Sequence, residues 1–259
     1  VMTDPAYLDT GHGSRIAYVR TEGAAPGAVF LGGFASDMTG TKATHLEAHA
    51  RARGLAFLRF DYAGHGASSG AFEEGGIGLW LSDALAALDT LTTGPQILIG
   101  SSMGGWIALL AALARPERVA GLLLIAPAPD FTERLLRPAL SEAEQCELES
   151  RGRIEQPNPY GDAPTVITRH LLEEGRRHLL LEGPIRVAAP VRILHGQQDA
   201  DVPWQLSLEL AERLESTDVE TTLVKAGDHR LSEAADLERL TLAWDRLAAA
   251  AGRNVSPTE

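Results

Sequence analysis

Serine, histidine and aspartate can together turn a hydroxyl into a nucleophile. A hydroxyl alone is a weak one and needs a base in hydrogen-bond reach, itself oriented by a carboxylate. The serine is offered by Ile97-Leu98-Ile99-Gly100-Ser101-Ser102-Met103-Gly104-Gly105-Trp106-Ile107-Ala108. An apolar run of strand length enters Gly-x-Ser-x-Gly and leaves into an Ala- and Leu-rich helical stretch, the setting in which a serine stands exposed on a tight strand-to-helix turn. Gly100 and Gly104 leave room for that turn, so Ser102 is the expected nucleophile. Gly66-Ala67-Ser68-Ser69-Gly70 fits the same pattern. It lacks a strand before it and a helix directly after it, so Ser68 is set aside.

The partners should follow the serine in the order acid, then histidine. His195-Gly196-Gln197-Gln198-Asp199-Ala200-Asp201 follows a late apolar run, and Gly227-Asp228-His229 lies between the last strand-like stretch and the last helical one. Asp199 is the expected acid, at a strand's C-terminal edge where sites of open α/β sheets lie; Asp201 and Asp130 stay open as alternatives. His229 is the expected general base and acid, while His65 and His195 are expected to hold loops. Two fixed N–H donors are needed for a developing oxyanion. The N–H of Met103, at a helix start, is one candidate, and that of Phe34 in Gly32-Gly33-Phe34 is the other. Asp61-Tyr62-Ala63-Gly64-His65-Gly66 reads as a turn near the site, and Tyr62 or His65 could touch substrate there. No paired histidines at helical spacing and no complete dinucleotide-binding glycine pattern occur, so neither metal nor cofactor is expected.

These residues need a scaffold that ends strands at one edge. Short apolar runs at 16–20, 28–32, 55–60, 96–100, 119–126, 191–195 and 219–225 alternate with helical stretches at 42–53, 77–91, 103–114, 204–215 and 234–251. In the second of these, Ile77, Leu81, Leu85, Leu88 and Leu91 recur at three- and four-residue spacing, the mark of an amphipathic helix. Such alternation predicts an α/β fold, a mostly parallel sheet with helices on both faces, in one domain over residues 1–259. The rhythm breaks at about 127–189, with helical candidates near Phe131, Ser141 and Thr165, which predicts a cap inserted over the sheet. Its Leu135, Leu136, Leu171, Leu172, Leu179 and Leu180 either line an apolar acyl site or pack the cap onto the core. The tail after Gly252 reads as loose.

The chain has 259 residues, 44% of them hydrophobic, and a formal net charge of -12. That charge repels phosphate and argues against nucleic-acid partners. An uncharged small-molecule or lipid-acyl substrate fits better. A lone cysteine, Cys146, allows no internal disulfide, and no apolar stretch reaches the roughly 18 residues that span a bilayer. With no signal-peptide pattern at Val1-Met2-Thr3-Asp4-Pro5, the expected location is the cytoplasm. The sequence is silent on oligomeric state.

The motifs resemble the α/β-hydrolase superfamily over nearly the whole chain. Within it they are similar to the branch of mitochondrial palmitoyl-protein thioesterases that also hydrolyse mycophenolic acid acyl-glucuronide, together with bacterial relatives. Gly40-Thr41-Lys42-Ala43, Arg59-Phe60-Asp61-Tyr62, Gly100-Ser101-Ser102-Met103-Gly104-Gly105-Trp106, Val202-Pro203-Trp204, Ser216-Thr217-Asp218-Val219 and Asp228-His229-Arg230 carry the likeness. It implies an α/β-hydrolase fold, a Ser102–His229–Asp199 triad and hydrolysis of acyl thioesters or esters. Carbon–carbon or lactone hydrolysis by the same triad is the alternative within enzymes, and a binding protein on this fold is the alternative outside them.

Overall fold

The computed structural model describes residues 4–158 and 164–254. In chain order these form β1 (Ala6–Asp9), β2 (Arg15–Thr21), β3 (Ala24–Leu31), α1 (Thr41–Arg53), β4 (Leu55–Phe60), α2 (Ile77–Leu91), β5 (Gln96–Ser101), α3 (Met103–Ala114) and β6 (Val119–Ile125). A π-helical turn over Thr132–Leu136 then runs into α4 (Arg137–Ala139), followed by α5 (Glu142–Arg151), β7 (Arg153–Gln156), β8 (Thr165–Thr168) and α6 (Arg169–Gly175). β9 (Val191–Gly196), α7 (Gln205–Arg213), β10 (Val219–Val224) and α8 (Ala234–Asn254) complete the order. The helix thus continues past Gly252, and the rest of the expected loose tail, 255–259, lies outside the described residues.

β5 sits inside an eight-stranded sheet of order β1-β2-β4-β3-β5-β6-β9-β10. β2 is antiparallel to both its neighbours, and the remaining pairs are parallel. The short β1 was not legible in the sequence, because it is mostly exposed and carries little apolar pattern. Along β5, Ile97 and Ile99 join Leu123 and Ile125 in one apolar cluster, while Leu98 joins Leu122 and Leu124 in another. Both faces are therefore dry, which is why these strands are continuous apolar runs instead of alternating ones. Ala43, Leu46 and Ala50 of α1 with Leu240, Trp244 and Leu247 of α8 cover the first face, and α2, α3 and α7 cover the second.

Between β6 and β9 the expected break in rhythm has its own small core of Leu140, Leu148, Ile154, Ile167 and Leu172. The helix expected near Thr165 is displaced to α6, and Thr165–Thr168 before it is a strand, β8, paired antiparallel with β7. Its Thr-Val-Ile-Thr sequence is β-branched throughout, and such side chains lose rotamer freedom in a helix and pack well on a pleated surface. The helix starts one residue later, with Thr168 Oγ1 accepting the Leu171 N–H at 3.0 Å as its N-cap. Polar contacts at Glu174 and His178 tie this segment to α2 and α3, and Asp130 closes the segment on itself. Glu174 accepts the Gly78 N–H at the start of α2, Asp130 accepts the Leu180 and Leu181 N–H groups, and the Trp106 indole donates to the His178 carbonyl.

Candidate active site

β5 ends at Ser101 and α3 begins at Met103, so Ser102 alone makes the turn, with φ 54° and ψ -118°. A non-glycine residue in that region costs of order 1–3 kcal/mol unless its surroundings hold it there. Here they do: the Ser102 N–H donates to the Ile125 carbonyl, and its own carbonyl accepts from Gly105 and Ala128. A Cβ at Gly104 would overlap the Leu31 and Gly32 carbonyls, and one at Gly100 would overlap the Gly104 peptide. The turn is tight because backbone sits where side chains would be.

Across it, His229 Nε2 lies 3.1 Å from Ser102 Oγ, and His229 Nδ1 lies 2.7 Å from Asp199 Oδ2. The chain brings these together from the ends of β5, β9 and β10, separations of 127 and 30 residues. The Asp199 carboxylate is fully buried. Its Oδ1 accepts the Asp201 and Val202 N–H groups at 2.9 and 2.8 Å. Burial pushes its carboxyl up, but hydrogen bonds from His195, His229 and Val202 outweigh that and hold it well below the usual carboxylate range. Asp199 is thus an anion when His229 must be oriented.

The other acids are elsewhere. Asp201 is exposed, and Asp130, at φ 57°, is committed to the Leu180 and Leu181 N–H groups. Burial raises the Asp130 carboxyl, and those two N–H groups oppose the rise. Ser68 donates to the Asp61 carbonyl and accepts the Ala17 N–H, pinning its loop to β2. Asp199, Asp201 and His229 are the one set of potential metal-ligating atoms gathered among the described residues, within 4.8 Å of one another. Both Asp199 oxygens and His229 Nδ1 already have hydrogen-bond partners, so the set reads as an acid–base pair beside a loop carboxylate.

Gly33 packs on the nucleophile, its Cβ direction ending 3.5 Å from Ser102 Cβ. Phe34 follows directly, and Met103 is the first residue of α3, so its N–H is among the donors that a helix start leaves unpaired. The Phe34 ring sits 5.0 Å from Phe72, 5.6 Å from Phe131 and 5.9 Å from Trp80, making an apolar wall beside Gly33. Tyr62 and His65 are buried in the same group of rings. Burial lowers the His65 imidazole, and its Nδ1 lies 3.2 Å from the Ala63 carbonyl. Leu171 and Leu172 are buried packing residues, Leu136, Leu179 and Leu180 are half-buried against the core, and Leu135 edges a groove of about 550 Å³ toward Trp204.

Two participants were not legible from residue type. His195, expected only to hold a loop, also bonds Asp199 Oδ2 at 3.0 Å. Lys42 donates to the Arg230 carbonyl, joining Gly-Thr-Lys to Asp-His-Arg. Burial first, then the nearby Arg230 charge, bring the Lys42 amine down to about 8, against the opposing pull of Asp228 and Asp236.

A family model described as serine aminopeptidase, S33, matches residues 29–156. The mouse protein "Palmitoyl-protein thioesterase ABHD10, mitochondrial" is 42% identical over 243 residues, 93% of this chain and 82% of that relative. A putative hydrolase from Agrobacterium vitis S4 superposes with a TM-score of 0.91 at 43% identity, over 95% of this chain and 98% of the other. The mouse α/β hydrolase domain-containing protein 10 gives 0.87 at 42%, with the same coverage. The names of such relatives overturn the expected cytoplasmic location, since the mammalian ones are mitochondrial. Among the described residues no helix is long and apolar enough to cross a membrane.

Proposed function

The chain belongs to the α/β-hydrolase family of the palmitoyl-protein thioesterase ABHD10, and from that premise we propose that this serine hydrolase of acyl esters and thioesters works through a covalent acyl-enzyme on Ser102. The observation that carries this reading is the unbroken chain from Ser102 Oγ through His229 to the buried Asp199 anion. His229 Nε2 takes the hydroxyl proton as Oγ attacks the acyl carbonyl carbon. The carbonyl oxygen becomes an oxyanion, stabilised by the N–H groups of Met103 and Phe34. As the tetrahedral intermediate collapses, His229 returns the proton to the leaving thiolate or alkoxide. Water then attacks the acyl-enzyme with His229 again as base, and Ser102 leaves. Asp199 holds the imidazole so that Nδ1 carries a proton and Nε2 is free to accept one.

We take residues 127–189 as a cap over the sheet edge and the rings around Phe34 as apolar surroundings for an acyl chain. The test is labelling by a fluorophosphonate, with kcat/KM for paired thioesters and oxyesters of rising chain length. Ser102→Ala should abolish labelling and lower turnover by several orders of magnitude. Turnover retained in that variant would remove Ser102 from the mechanism. A preference for short oxyesters over long thioesters would leave the triad intact and reject the apolar acyl site.

A further inference from the structure

Asp199 is bound by two imidazoles, and the acyl-transfer scheme uses only one. His195, on β9, is fully buried, with Nε2 3.0 Å from Asp199 Oδ2 and 3.0 Å from the Val202 carbonyl, and Nδ1 2.6 Å from Ser207 Oγ of α7. Both groups facing Nε2 are acceptors, so Nε2 carries a proton. In the neutral ring the Ser207 hydroxyl then donates to Nδ1. The Val202 carbonyl and Ser207 fix the ring from two sides, leaving its N–H shared between that carbonyl and the Asp199 oxygen that also receives His229.

We propose that His195 is a positioning residue: its N–H on Asp199 Oδ2, braced by Ser207, sets how much negative charge Asp199 presents to His229 and so how readily His229 releases its proton. This rests on the triad reading above. A donor on a carboxylate disperses its charge, so the carboxylate holds the neighbouring imidazolium less strongly. Removing the donor strengthens that hold, and His229 then becomes a free base only at higher pH. Accepting a hydrogen bond at Nδ1 makes Nε2–H the better donor, so losing Ser207 acts in the same direction, more weakly. Asp199 and Asp201 of the β9 loop have atoms within 4.8 Å of the His229 ring nitrogen, Asp228 and Arg230 flank His229 in its own loop, and Lys42 of α1, which feels Arg230, Asp228 and the Asp236 of α8, is tied to that loop through the Arg230 carbonyl. Changing His195 or Ser207 leaves all of these side chains in the sequence and alters only the hydrogen bonding received by Asp199 Oδ2.

The experiment is kcat/KM for an acyl thioester from pH 5 to 9, with active sites counted by fluorophosphonate titration, for the parent, His195→Leu, His195→Gln and Ser207→Ala. Glutamine can keep an N–H near the Nε2 position. The expected result is an acid limb raised by about one pH unit in His195→Leu, a loss of up to about tenfold relative to the parent at the same pH low on the limb, with the plateau kept. Ser207→Ala should show a smaller rise and His195→Gln the parental limb. A lower plateau with an unmoved limb in His195→Leu and Ser207→Ala would make both residues mere packing and overturn the inference. If His195→Leu does not fold, Ser207→Ala decides, since it touches no triad atom: a limb unmoved there overturns the inference. A parent that neither turns over nor labels at Ser102 would instead overturn the triad reading, and this inference with it.

Discussion

Asp199→Asn is the sharpest perturbation of this site because the change is nearly isosteric and every contact is known. The carboxylate accepts four N–H groups, two imidazole donors at Oδ2 and two backbone donors at Oδ1. An asparagine must point its NH2 at one of these pairs. Facing the imidazoles, it forces His229 to present a bare Nδ1, which puts the ring proton on Nε2 against Ser102 and removes the base. Facing the loop, it strands the part-buried Val202 donor, at about 1–3 kcal/mol, and the exposed Asp201 donor, which water can satisfy. The first arrangement is cheaper because a tautomer change relieves it, so the loss falls on activity. The wrong tautomer is worth about ten-thousandfold in kcat, or about 5.4 kcal/mol of transition-state stabilisation. The assay is kcat and kcat/KM on an acyl thioester with thermal unfolding in parallel. Asp201→Asn and Asp130→Asn are controls, expected to stay within a few fold in kcat, with stability lost in the latter. An Asp199→Asn enzyme within tenfold of the parent, or an Asp201→Asn enzyme as damaged as that variant, would refute the assignment.

Gly104→Ala should cost at least about 2 kcal/mol and slow fluorophosphonate labelling, because its Cβ meets the Leu31 carbonyl and backbone cannot give way as a side chain would; an alanine variant as stable and as reactive as the parent would show a looser turn. Arg59 lies buried with its Nε 2.8 Å from Glu47 and a guanidinium N–H on the Met38 carbonyl at 3.0 Å. Arg59→Met should therefore lower unfolding free energy in urea by about 3 kcal/mol, since Glu47 loses its buried partner; a neutral result would mean that Arg51 and Thr21, which also bond Glu47, satisfy it without Arg59. Lys42 has a folded value of about 8 against 10.5 for the unfolded chain. Between those values the unfolded chain holds more protons, so stability rises with pH across that window by up to about 3 kcal/mol. Lys42→Met should flatten that rise, and a parent with no slope between pH 8 and 10.5 would contradict the burial argument.

Much of the candidate site's geometry was legible because its pieces are local. A Gly-x-Ser-x-Gly turn declares itself through the strand before it and the helix after it, and Asp199 and His229 each follow an apolar run that ends at the same sheet edge. The strand-helix alternation was readable for the same reason, since dry parallel strands are continuous apolar runs. Thr165–Thr168 failed because four residues are too short for periodicity to outvote a neighbouring helix, and pairing with Arg153–Gln156 decided the matter.

Sequence alone thus determined the residue types, their order and the fold that carries them. Tertiary structure chose among the acids: Asp199 and Asp201 differ by two positions, and only the fold turns one inward onto His229 while Asp130 is spent on the Leu180 and Leu181 N–H groups. It also made partners of His195 and Ser207, and of Lys42 and Arg230, 12 and 188 residues apart. The physical reason is that a hydrogen bond depends on ångström distances and directions between groups, and chain spacing encodes these within a turn or a helix but not between segments that meet only when the sheet is built.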